Sequence, residues 1–238
     1  MTTIGIATER SSGSAAPAVA SARSRNRLQD NMLVCGALAA LVYLVTDILG
    51  SLRYPGYDFT SQGVSELMAV GAPTKTLVDS IFIVYGLLAI AFAIGVIREA
   101  SPGRRALRIT GAVLLAYAAI PMVVAGRFAA YPRGAGAFSE SVPHIILTAV
   151  LVVLMLASIG FGAFALGRRF RIYSFATLGV LIALGAVSGY YGARLAAGQS
   201  TPGFGVVERV LIYAFLAWAA TLGISLVRSA HASSEASP

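Results

Sequence analysis

Six stretches, near residues 31–52, 77–97, 108–126, 142–167, 172–191 and 206–227, are almost wholly apolar. Each is close to the ~20 residues that carry a helix across a hydrocarbon core ~30 Å thick. Backbone N–H and C=O groups find no water there, so a chain crosses only as helices or as a closed barrel. None of the six runs alternates with period two over ~10 residues, as a barrel strand must. The fold class expected is all-α: a polytopic membrane protein, a bundle of six transmembrane helices. Composition agrees, since 57% of the residues are hydrophobic and only 12% charged, too few polar groups to clothe a soluble domain.

Residues 1–30 are rich in Ser, Ala and Arg without a periodic apolar pattern, and they are expected to form a disordered cytoplasmic tail. The apolar run that follows is too long for the core of a cleaved signal, so it is expected to remain as the first helix. Residues 31–228 then form the transmembrane domain and 229–238 a second cytoplasmic tail. The net charge of +8 is explained by topology rather than by nucleic acid. Twelve of the 18 basic residues fall on the side of the termini, including the short turns with Arg104, Arg105 and Arg108, and with Arg168, Arg169 and Arg171. The positive-inside bias therefore puts both termini in the cytoplasm, with a bacterial inner (plasma) membrane as the expected location and membrane lipids as contacts of the basic turns. The lone Cys35 permits no intrachain disulfide.

The three outer loops are then 53–76, 127–141 and 192–205, and the first carries the most information. It reads YPGYDFTSQGVSELMAVGAP from Tyr54 to Pro73. Pro55-Gly56 marks a turn, Asp58, Thr60 or Ser61 can cap a helix, and Gly71 and Pro73 stop it. Val64, Leu67 and Met68 fall at i, i+3 and i+4, which predicts a short outer-loop helix over 61–70 with one stripe packed on the bundle.

Asp47, Asp79 and Glu208 lie at the level of these loops, with Arg53, Arg127, Arg194, Arg209, several tyrosines and His144, which opens helix four behind Pro143. Singly, such residues read as snorkelling charges and an aromatic belt. Asp47 is different, because it lies a turn inside the boundary, where an ionised carboxylate is costly unless a cation or donor meets it. Arg53, Arg127 and Arg209 are the available partners. A polar pocket follows as the expectation, with Asp47, Arg53, Tyr54, Ser65, Glu66, His144, Glu208 and Arg209 as its ligand-binding residues.

Catalysis needs a nucleophile beside a base and an orienting acid, and Ser65, His144 and Glu66 (or Asp58) are the one complete set on this face. No Gly-x-Ser-x-Gly elbow accompanies them, and with two histidines in the chain, on opposite sides of the membrane by this topology, no metal centre or other cofactor is expected. A transporter would show charges at mid-span or broken helices in matching halves; no charged residue lies there, and Gly185 and Gly189 on helix five are expected to pack within the bundle. The leading expectation is a binding protein for a lipid headgroup, small amphiphile or membrane partner; the alternative is a lipid-directed hydrolase or transferase, with a transporter third. Homo-oligomerisation stays open.

The Tyr-Pro start of this loop, its Ser-Glu-Leu core leading to Gly-Ala-Pro, His144, and Gly205 to Arg209 before a final helix with Trp218 together resemble the DUF998 family of bacterial and archaeal membrane proteins. The resemblance covers about residues 30–228 and implies a six-helix inner-membrane protein of undefined biochemical role. It carries over Tyr54, Pro55, Ser65, Glu66, Leu67, His144, Glu208 and Arg209. The departure is Met68-Ala69-Val70, inserted before Gly71, where family loops commonly turn directly.

Overall fold

The computed structural model describes residues 15–124, 130, 131, 133 and 138–235. Six helices follow in order: α1 (Ala15–Arg53), α2 (Lys75–Glu99), α3 (Arg105–Val124), α4 (Phe138–Gly162), α5 (Arg168–Ala196) and α6 (Phe204–Glu235). Each contains a segment long and apolar enough to cross a membrane, and no strand occurs among the described residues. Neighbours in sequence pack side by side around a ring that α1 and α6 close, and α6 also touches α2 and α4. The protein is thus an all-helical six-span bundle.

The core lies along α6. Trp218, Phe215, Leu222 and Leu226 are essentially fully buried. The indole N–H of Trp218 donates to Ser174 Oγ at 2.9 Å, which satisfies a polar group that lipid could not. Gly162 ends α4 against this ring, and a Cβ there would come within 2.5 Å of the indole. α4 ends at Gly162, short of the expected boundary at 167, and residues 163–167 make the turn into α5.

Three further boundaries differ from expectation. α1 reaches back to Ala15, so half of the stretch expected to be a disordered tail is helical; Pro17 sits in the first turn, where its missing N–H costs nothing. Near the end of that stretch Gln29 Nε2 donates to the carbonyl of Gly95 at 2.8 Å. α6 likewise continues to Glu235, into the expected second tail. α4 begins at Phe138, which places Pro143 and His144 in its second turn rather than at its start. Gly185 and Gly189 do not pack within the bundle: a Cβ on either meets nothing within 4 Å among the described residues. α5 turns that face outward.

The loop helix expected over 61–70 is a single 3-10 turn, Val64–Met68. Asp58, Thr60 and Ser61 do not cap it. Instead Asp58 accepts from the Thr60 N–H at 2.9 Å, the Thr60 hydroxyl at 2.7 Å and the Ser61 hydroxyl at 2.6 Å, closing a tight polar turn of their own. Those bonds hold the Asp58 carboxyl down to about 2. Gly63 takes the cap position, and Glu66 reaches back to accept its N–H at 2.9 Å. Val64 and Leu67 are buried against the bundle and Met68 packs beside them, as the apolar stripe requires.

Candidate functional site

The loop between α1 and α2 is built by turns whose chemistry is readable residue by residue. Tyr57 N–H donates to Tyr54 C=O at 3.2 Å across Pro55-Gly56, with Gly56 at φ 76°, the left-handed position a type II turn gives to glycine. Ala69 to Ala72 repeats the device, with Gly71 at φ 80°. The Thr74 hydroxyl then donates to the Leu67 carbonyl at 2.7 Å, tying the 3-10 turn to the start of α2. Gly50 on α1 leaves room for Leu67 and Val78, since a Cβ there would meet both at about 3 Å.

Under this loop lies a buried ion pair. Arg209 Nε and Nη2 donate to the two oxygens of Asp47 at 2.9 Å each, a bidentate contact between α6 and α1. Asp47 is 0% and Arg209 2% exposed. Every remaining donor of the guanidinium is taken: Nη1 reaches the carbonyls of Phe59 at 2.8 Å, Gln62 at 2.9 Å and Gly205 at 3.1 Å, and Nη2 reaches the Tyr57 hydroxyl at 2.7 Å. The ring of Phe59 lies 3.7 Å from the guanidinium carbon, closing the cation in. Tyr213, one turn beyond Arg209 on α6, donates its hydroxyl to Asp47 Oδ2. The Tyr57 hydroxyl passes its own proton toward the Gly63 carbonyl at 2.8 Å, and burial pushes its pKa up to about 12 against the opposing pull of Arg209.

Glu208, the next residue on α6, accepts the Val64 N–H at 2.7 Å, so adjacent α6 residues hold both ends of the 62–64 backbone. This approach needs Gly63, whose Cβ would fall 2.5 Å from the Glu208 carboxylate. It also needs Gly205, where a Cβ would collide with the carbonyls of Phe59 and Gln62.

A second clasp joins the other loops. Arg133 donates to Glu66 from Nε at 3.0 Å and Nη2 at 2.8 Å, to the Thr201 hydroxyl at 2.6 Å and to the Ser61 carbonyl at 2.6 Å. Gln62 adds a bond to Glu66 at 2.9 Å, and the Val70 N–H pairs with the Ala130 carbonyl at 2.8 Å. All three loops at this end are thereby knitted into one cap.

Of the residues singled out in the sequence, the structure joins Asp47 to Arg209 and sets Glu208, Glu66 and Tyr54 around them. Arg53, the other expected partner of Asp47, is exposed at the end of α1, with no hydrogen-bonding partner among the described residues. Arg127 lies outside the described residues. Asp79 pairs with Lys75 at 2.8 Å on the surface. Ser65 is half-buried on the 3-10 turn, which rests on α1, α2 and α6, whereas His144 sits on α4, packed against α3 and α5. No hydrogen bond joins the two among the described residues, and Glu66 is already occupied by Arg133. Sequence reasoning missed Tyr213, Gln62, Thr201 and the role of Arg133. Tyr213 had a signal, its i+4 spacing from Arg209; Arg133 had none.

No curated protein and no solved structure matches this chain. A family model described as "Protein of unknown function (DUF998)" matches residues 37–225, from the middle of α1 to the last turns of α6, so that both clasps fall within it. The chain therefore belongs to the DUF998 family of proteins of unknown function.

Proposed function

We propose that this is a non-catalytic protein of the bacterial inner membrane, with both termini cytoplasmic, that holds the polar head of an amphiphile or lipid at its capped end. The observation that carries the reading is how the charges there are used. Asp47, Glu66, Glu208, Arg133 and Arg209 are consumed by one another and by loop backbone, which makes the cap rigid and leaves those groups without chemistry to spare. Among the described charges at this end Arg53 is the exception: an exposed cation next to Tyr54 in the chain, with Leu52, 78% exposed, adjoining it. A cation at the membrane edge next to bare apolar surface suits an anionic head with a hydrocarbon tail. A rigid frame beneath it keeps the ordering cost of binding low.

The hydrolase reading through Ser65 and His144 would first require Glu66 to leave Arg133, and no observation favours it. Native mass spectrometry of the protein released from membranes tests the proposal. An amphiphile should travel with the wild type, and Arg53→Gln should reduce its retention about fivefold, the effect of removing one interfacial cation. Equal retention would refute the assignment. Turnover of a lipid that Ser65→Ala abolishes would favour the enzymatic reading instead.

A further inference from the structure

The opposite end of the bundle carries a second arrangement, built on α5 and the turn before it. Arg168, Arg171, Ile172 and Phe175 stand at i, i+3, i+4 and i+7, so they share one stripe of the helix. The stripe is ordered: two guanidiniums at the helix end, then two large apolar side chains, Ile172 59% and Phe175 47% exposed. Phe164, from the turn, meets Phe175 edge-on at 6.0 Å, and the Arg171 guanidinium lies 5.1 Å over its ring. Phe164 is itself 56% exposed, so the aromatic pair forms an apolar shelf below the charge.

The turn is held in place. Arg104, from the α2–α3 turn, donates to the Ala165 carbonyl at 2.9 Å, which fixes the backbone between Phe164 and Arg168. Neither the Arg168 nor the Arg171 guanidinium has a carboxylate or a hydrogen-bonding partner among the described residues, and the first turn of α5 contains no acidic residue. Cations stacked at a helix N-terminus oppose the helix dipole. That conflict is relieved when an anion sits between them.

We infer that Arg168 and Arg171, with Phe164, Ile172 and Phe175 beneath them, form a binding site for one anionic phospholipid, the phosphate between the guanidiniums and an acyl chain along the apolar shelf. Charge complementarity selects the head and the order of the stripe selects the lipid over a free phosphate. The site is separate from the cap, at the other end of the bundle, and stands or falls without it.

The test is native mass spectrometry of the full chain released from nanodiscs of equal parts phosphatidylglycerol and phosphatidylcholine. Wild type should retain phosphatidylglycerol in excess, and excess inorganic phosphate should leave it bound. Arg168→Gln/Arg171→Gln should cut that excess more than tenfold, at about fivefold per interfacial arginine. Arg169→Gln, one residue off the stripe, should retain most of it. Should the double variant fail to fold, Arg168→Gln alone, which breaks no observed bond, must show the fivefold loss. An undiminished excess in the folded variants, no excess in wild type, or displacement by phosphate alone would overturn the site.

Discussion

Asp47 shows how far a single residue can be read. A carboxylate one turn inside an apolar run has to be met, and the sequence offers only a few arginines at its level; that the partner is Arg209 rather than Arg53 depends on how α1 and α6 face one another, which no local pattern encodes. Tyr57 was legible only as an aromatic at the interface. Its role, bridging Arg209 to the Gly63 carbonyl, exists only once the loop has folded over α6. That role has a pH signature. An unperturbed tyrosine ionises near 10 and Tyr57 near about 12, so the folded state holds its proton over a range where the unfolded state has released it. The stability it contributes is complete below about pH 10 and is lost as pH rises through about 12. Protection of the amides at residues 57–64, measured relative to their intrinsic exchange rates, should therefore fall across that interval in wild type, and Tyr57→Phe should remove that step.

At the scale of elements, the helices were legible because length and apolarity suffice to specify a span, while their ends were not. Gly162 is required where Trp218 of α6 lies against the end of α4, a contact no local pattern encodes, and the helix over 15–30 continues the span that follows. The loop element is shorter than its sequence pattern implies for a related reason. The apolar stripe is there, but one 3-10 turn suffices to bury Val64 and Leu67 when α1, α2 and α6 all touch it. Leu67 is 0% exposed, and Leu67→Asp should lower the melting temperature of the purified protein clearly, with a loss of about 3 kcal/mol or more from burying an unpaired carboxylate. An unchanged melt would mean that the turn does not rest on the bundle. Gly63→Ala should act more locally, pushing Glu208 from the Val64 N–H and raising exchange at residues 63–68 while the spans stay protected.

For the molecule as a whole, the ring of six spans places all three longer loops at one end and the short arginine-bearing turns at the other. Ser101→Cys and Ser200→Cys, each in a Cys35→Ser background, report the orientation through an impermeant thiol reagent in intact cells: Ser200→Cys should label and Ser101→Cys should not. What unites the molecule is the clasp of α1 to α6 under the cap, since it carries the loop backbone at residues 59 and 62 along with the helices. The most direct measurement is a double-mutant cycle of Asp47→Asn and Arg209→Gln, followed by thermal melting in nanodiscs. Each single change should cost about 3–5 kcal/mol because it strands a buried partner, and the double variant should be clearly more stable than the sum of the two losses predicts. Additive losses, or single variants that melt with the wild type, would contradict a buried clasp at Asp47 and Arg209.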